Sequence, residues 1–154
     1  KLSVAENLGL IARIYGAPKG EARTRTAALL DQLRLTDRAA ERAKSLSGGL
    51  QRRLSLGMAL ITRPRIVFLD EPTLGLDVRA RRDLWHVLES IKGSTTIVLT
   101  THYLEEAEAL ADRIGIMHTG RLRALGTAEE LKQLTGTAAF EEAFLALTES
   151  GEQP

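Results

Sequence analysis

The stretch LSGGLQRRLSLGMALITRPRIVFLDEPTLGLD, residues 46–77, decides how the fold is read. Ser47, Gly48 and Gly49 stand ahead of a run from Leu50 to Thr62 whose apolar residues Leu50, Leu54, Gly57, Met58 and Ile61 share one side of a helix. Ile66-Val67-Phe68-Leu69 follows, short, continuous and rich in β-favouring residues, as expected of a strand covered on both faces. It ends abruptly in two adjacent acids, Asp70 and Glu71. Asp77 can cap the next helix, which the pattern carries to about Ile91.

Upstream, the chain reads as all-helical. Ser3-Val4-Ala5-Glu6 is a capping box, in which the serine oxygen takes an orphan N–H and the glutamate reaches back. Val4, Leu8, Ile11 and Tyr15 then fall on one helical face, and Gly16-Ala17-Pro18 stops the helix. A second helix is expected from Lys19 to Leu33 with Leu29, Leu30 and Leu33 inward, and a short helical turn within Thr36–Glu41. Downstream, Thr95–Thr100 (TTIVLT) is a second buried strand, and Leu104–Asp112 a helix with Leu104, Ala107 and Leu110 inward. Ile114–Met117 is a third strand, with Arg121–Leu125 able to pair with it across the turn at Thr119-Gly120. Thr127-Ala128-Glu129-Glu130 is another capping box, Phe140, Phe144 and Leu147 mark a last helix, and SGEQP is a frayed tail. Strands alternating with helices imply a parallel, layered α/β sheet.

Bulk properties narrow the function. The 154 residues suit about one domain, and 44% hydrophobic residues suffice for a core. The net charge of +1, with charges mixed along the chain, argues against a nucleic-acid partner. Arg52, Arg53, Arg79, Arg81 and Arg82 are explained more simply as exposed helix faces than as a basic patch. The absence of cysteine excludes disulfide and thiolate-metal frameworks. The longest apolar stretch, Leu54–Thr62, is far short of the roughly 20 residues of a membrane helix.

Each candidate site residue admits two readings. In open α/β sheets ligands sit beyond the carboxyl ends of strands, where Asp70 and Glu71 stand. Neighbouring strand residues point to opposite faces, so the two carboxylates suit different tasks. Asp70 can hold Mg²⁺, a hard cation that takes oxygen ligands, and Glu71 can orient or deprotonate a water attacking a phosphate. Equally, the pair can simply end a strand and cap a turn. Ser47, Gly48 and Gly49 allow backbone N–H groups and a helix dipole to meet a phosphate, or form a plain capped turn. His102, just past the TTIVLT strand, can hydrogen-bond near a terminal phosphate or be structural. Asp77 is a helix cap with room for a second role. His86 and His118 read as surface or packing residues.

Taken together and in order, these motifs resemble the ATP-binding-cassette (ABC) ATPase family. LSGGLQRR (46–53) looks like its signature motif, IVFLDE (66–71) its Walker B strand and catalytic glutamate, GLD (75–77) its D-loop, and TTHYLEEAEALADRIGIMHTGRL (100–122) its switch-histidine region. The resemblance runs from residue 1 to about residue 147. It implies an α/β fold: a partial P-loop NTPase-like parallel sheet flanked by helices, with an N-terminal all-helical subdomain. The implied division is a helical subdomain at 1–47, an α/β core portion at 48–135, and a C-terminal helix and tail at 136–154.

The family acts as a head-to-tail dimer with ATP and Mg²⁺ held between two copies. Carried over, Asp70 supports Mg²⁺, Glu71 activates water and His102 contacts the γ-phosphate. Ser47, Gly48, Gly49 and Leu50 meet the nucleotide held by the partner subunit, and Asp77 couples the two sites. The resemblance further implies a transmembrane permease partner and a cytoplasmic, peripheral place on the inner face of the membrane. KLSVAENL, TTHYLEEAE and FEEAFLALTES are similar to bacterial drug and antibiotic exporter ATPases.

None of the five lysines completes the G-x-x-x-x-G-K-[ST] phosphate loop, so the chain looks like the C-terminal part of a nucleotide-binding domain. Without that front portion its strands are expected to keep open edges and one uncovered face, with marginal stability. The chain alone is accordingly expected to bind Mg-ATP only at about millimolar affinity or weaker, because the phosphate-cradling lysine and N–H groups are missing. Calorimetry checks this, and micromolar affinity would overturn it. Two departures stand out: Leu50 where the family most often has glutamine, and Val78 where proline is frequent. Leu50 fits a variant familiar among drug exporters, and proline at a first helical position is only a preference. The alternatives are a non-catalytic partner module that lends its signature face to another chain's ATP, and a soluble ABC-type ATPase.

Overall fold

Among the described residues, side-chain caps open three helices, at Ser3, Asp77 and Thr127. The computed structural model describes residues 2–149; Lys1 and the end read above as a frayed tail, 150–154, lie outside the described residues. The chain divides into two compact units, Lys1–Thr100 and Thr101–Pro154.

In the first unit, α1 (Val4–Ile14) opens with the expected capping box: Glu6 N–H donates to Ser3 Oγ at 3.1 Å, and Ser3 N–H donates to Glu6 Oε2 at 2.8 Å. Its buried face is Val4, Leu8 and Ala12; Tyr15, expected inward, is 72% exposed, because the chain has left the helix at the Gly16 turn (φ 87°). α2 (Lys19–Gln32) buries Leu29 and Leu30 as expected, with Leu33 fully buried at its end. Two 3₁₀ turns, Thr36–Arg38 and Ala43–Ser45, lead to α3. Backbone bonds from Val4 N–H to Glu41 O and from Ala43 N–H to Leu2 O tie this segment to the start of α1.

Helix α3 (Gly48–Leu60) begins at the glycines, earlier than its apolar spacing suggests. Gly57 is where it meets α1 and α2: a Cβ there would lie 2.4 Å from Leu33 Cδ1 and 3.1 Å from Leu8 Cδ2. Only hydrogen at this position lets three helices converge on one core.

β1 (Ile66–Asp70), α4 (Val78–Ile91) and β2 (Thr96–Thr100) complete the unit. β1 and β2 pair in parallel, with Ile66 opposite Thr96, Phe68 opposite Val98 and Asp70 opposite Thr100. The expectation of strands covered on both faces is corrected. Val67 is buried, but Ile66 (52%), Phe68 (77%) and Val98 (45%) are exposed along the other face, which none of the described helices of this unit covers. α4 is amphipathic, with Leu84, Val87, Leu88 and Ile91 buried.

The second unit holds α5 (Leu104–Leu110), the antiparallel pair β3 (Ile114–His118) and β4 (Arg121–Gly126), α6 (Ala128–Thr135) and α7 (Phe140–Glu149). As the turn at Thr119-Gly120 predicts, β3 pairs with β4: the tight turn (φ 48° and 73°) folds the chain straight back into a two-stranded antiparallel sheet, where the alternation of strands and helices by itself implies a parallel one. Ile114, Ile116, Leu131 and Phe140 form its core, with Leu104, Ala107, Phe144 and Leu147 partly buried around them. Leu110 and Glu106 of α5 are buried, Glu106 completely. α6 has the expected capping box at Thr127 and Glu130 and ends on Gly136 in the left-handed conformation. Lys132 joins α6 to α5 through Glu108 and pairs within α6 with Glu129, whose carboxyl its ammonium holds below the usual range.

Among the described residues, no helix is long and apolar enough to cross a membrane.

Candidate functional site

In the first unit the starts of α3 and α4 lie side by side. A Cβ on Gly49 would stand 3.0 Å from Ala80 Cβ, so the second signature glycine is buried against the first turn of α4. Gly48 has open space where a side chain would be, which leaves its backbone approachable. Ser47 occupies the N-cap with extended backbone, but no side-chain cap bond forms and the residue is exposed. The capping alternative for Ser47 is therefore not what its hydroxyl does. Leu50 is half-buried in the first turn. Asp77 does cap α4, accepting from Ala80 N–H at 2.8 Å, while remaining exposed.

Helices α3 and α4 are also clamped further along. Arg53, expected on an exposed face, is only 7% exposed; it donates to Asp83 Oδ2 at 2.8 Å, with Arg34 4.0 Å from the same carboxylate. The arginine buries its stem between the helices and keeps its charge paired. No feature of the local sequence separates Arg53 from Arg52; only the helix pairing does.

The acid pair sits at the carboxyl tip of β1. Asp70 is the last strand residue and exposed. Glu71 is already past the strand, half-buried, with φ +45°. The two carboxylates are therefore separated by a left-handed kink, not by the alternation of a strand. That conformation costs a non-glycine residue roughly 1–2 kcal/mol and clusters where surrounding structure over-determines it. Here Glu71 N–H donates to both Thr100 O (3.1 Å) and Thr100 Oγ1 (3.2 Å). Thr100 O–H in turn donates to Asp70 Oδ1 at 2.5 Å. The loop to Asp77 is anchored by buried Pro72 and by Thr73, which is 0% exposed, and it turns on Gly75 (φ 76°). Leu74 N–H to Glu71 O and Leu76 N–H to Thr73 O close its turns.

His102 belongs to the second unit, where it is exposed and its ring lies 4.1 Å from that of Tyr103, tilted by 38°. Thr101 Oγ1 accepts from Tyr103 N–H at 3.0 Å and shapes the entry to α5. His86 is exposed on α4 and His118 half-buried at the end of β3.

The first unit thus brings Asp70 and Glu71 to one strand tip and the starts of α3 and α4 together at Gly49 and Ala80. A solved structure of the ATP-binding subunit of an ABC transporter superposes with a TM-score of 0.77 at 31% identity, over 96% of this chain and 62% of that one. Fold and likeness together define a portion of an α/β ATP-binding domain.

A family profile described as ABC transporter matches residues 1–74. The Arabidopsis thaliana protein ABC transporter A family member 11 is 48% identical over 136 residues, 88% of this chain and 14% of that protein. The Streptomyces coeruleorubidus daunorubicin resistance ATP-binding protein DrrA3 is 46% identical over 137 residues, 88% of this chain and 43% of that protein. The chain belongs to the ATP-binding family of ABC transporters. It spans less than half the length of these relatives.

Proposed function

We propose that the chain is part of the ATP-hydrolysing subunit of a bacterial ABC exporter, working at the inner face of the membrane with a transmembrane permease. What carries this reading is the acid pair at the tip of β1, held by Thr100. The glycine-opened start of α3, packed against the capped start of α4, supports it. The similarity to DrrA3, a daunorubicin resistance protein, supports export of a drug-like substrate. In this reading residues 1–47 are the helical subdomain facing the permease, 48–135 the α/β core portion, and 136–154 a C-terminal helix and tail.

The residues fit a magnesium ion. Among the described residues, no group of three or more His, Asp or Glu forms a metal cage. Mg²⁺ does not need one, since it is usually held by one or two carboxylates together with substrate phosphates and water. The exposed Asp70 carboxylate is such a ligand. Bound there, the ion would neutralise charge developing on the phosphates. Glu71 then orients the attacking water and accepts its proton. His102 contacts the γ-phosphate. Ser47, Gly48, Gly49 and Leu50 meet the nucleotide of a second subunit in a head-to-tail pair, through the open backbone at Gly48 and the positive end of α3. Asp77 crosses to the partner.

The test is Asp70→Asn in the complete subunit. ATP hydrolysis is expected to fall at least tenfold, on the order of what a lost metal-site interaction costs, and the Mg²⁺ needed for half-maximal rate to rise. Wild-type rate and Mg²⁺ dependence would remove Asp70 from the metal role.

A further inference from the structure

The structure points to one more residue at the strand tip. Asp70 and Thr100 are register partners in the parallel pair, so their side chains leave the sheet on the same face. An ionised carboxylate only accepts hydrogen bonds, so in the 2.5 Å contact the hydroxyl of Thr100 is the donor. Its oxygen keeps its lone pairs, and one of them takes the N–H of Glu71 at 3.2 Å. A single hydroxyl thus holds the carboxylate of one acid and the backbone of the next. The second of these bonds falls on the residue whose backbone is left-handed. The Thr100 carbonyl shares that N–H, so the kink at Glu71 is pinned from two atoms of one residue on the neighbouring strand.

We propose that Thr100 is a positioning residue for the acid pair. It fixes which way the Asp70 carboxylate faces and where the Glu71 side chain leaves the backbone. The proposal rests on the reading of Asp70 and Glu71 as the metal-supporting and water-activating acids. Partners that orient a metal-supporting carboxylate matter nearly as much as the carboxylate, and their loss typically lowers metal affinity or activity ten- to a hundredfold. A strand position that served only the sheet would take valine equally well, since both side chains are β-branched and of similar size.

The experiment compares Thr100→Val, Thr100→Ser and Glu71→Gln in the complete ATP-binding subunit assembled with its permease. ATP hydrolysis is measured against Mg²⁺ concentration, with unfolding midpoints alongside. Thr100→Val is expected to raise the half-saturating Mg²⁺ concentration about tenfold and to lower kcat by a similar factor, at an unchanged midpoint. Thr100→Ser keeps the hydroxyl and is expected to stay close to wild type in both. Wild-type Mg²⁺ dependence and kcat in Thr100→Val, with Glu71→Gln inactive, would overturn the role of Thr100 and leave that of the acids intact. Full turnover in Glu71→Gln would instead overturn the reading of the acids. Should Thr100→Val fail to fold, Thr100→Ser decides: a folded serine variant with impaired Mg²⁺ dependence shows that the methyl group matters, and sinks the proposal.

Discussion

Turnover of the complete subunit is expected to fall about 10²–10⁴-fold on Glu71→Gln, the span that a lost general base typically covers. Glutamine has the same length and shape, and in the left-handed backbone at φ +45° it meets the same steric cost as glutamate. The bonds from the residue 71 N–H to Thr100 survive, because they come from the backbone. What disappears is the negative charge and the ability to accept a proton from water. The nucleotide contacts proposed for Ser47, Gly48 and Gly49 are untouched by this change, so ATP-induced pairing of subunits is expected to persist. Steady-state phosphate release and size-exclusion with ATP measure the two halves of this expectation. Unchanged hydrolysis would remove Glu71 from the catalytic role.

The largest expected loss of stability is from Leu33→Ala. Leu33 is 0% exposed and its Cδ1 fills the space above Gly57, beside Leu8 and Leu29. Removing it leaves a cavity among side chains already held by three helices, for about 2–5 kcal/mol. Urea unfolding of the 154-residue chain measures it, and a loss below about 1 kcal/mol would show that the core relaxes into the gap. A paired substitution sharpens the argument. Gly57→Ala alone drives a methyl group to 2.4 Å from Leu33 Cδ1 and is expected to destabilise by about 1–3 kcal/mol, less the helix propensity gained. In the Leu33→Ala background the collision with Leu33 is gone, and only the 3.1 Å approach to Leu8 Cδ2, the end of a flexible side chain, remains. There the alanine fills part of the cavity in a helix interior, and a gain of about 0.5–1 kcal/mol is expected.

The acid pair was found from sequence by its place after an apolar run, and that place is correct. How the pair is arranged was not legible there. The alternation of a strand predicts Asp70 and Glu71 on opposite faces, but Glu71 has already left the strand in a left-handed kink stabilised by Thr100, 29 positions later. Ser47 offered either a cap or an approachable hydroxyl; it does occupy the N-cap of α3, but its side chain makes no cap bond. Arg53 and Arg52 are neighbours of identical chemistry, separated only by which one α4 covers.

Sequence alone determined the starts of α1, α4 and α6, because a cap bonds to a backbone N–H three positions away and needs nothing else. It determined the positions of the strands and the inward residues of α2 for the same reason: periodicity is local. It offered the β3–β4 hairpin too, through the local turn at Thr119-Gly120. Tertiary structure decided that β1 pairs with β2 in parallel, with Ile66, Phe68 and Val98 exposed on one face. It also decided that a threonine on β2 would hold both acids on β1. Those outcomes depend on atoms tens of residues apart meeting across a sheet or a helix pair, and no local pattern carries that distance.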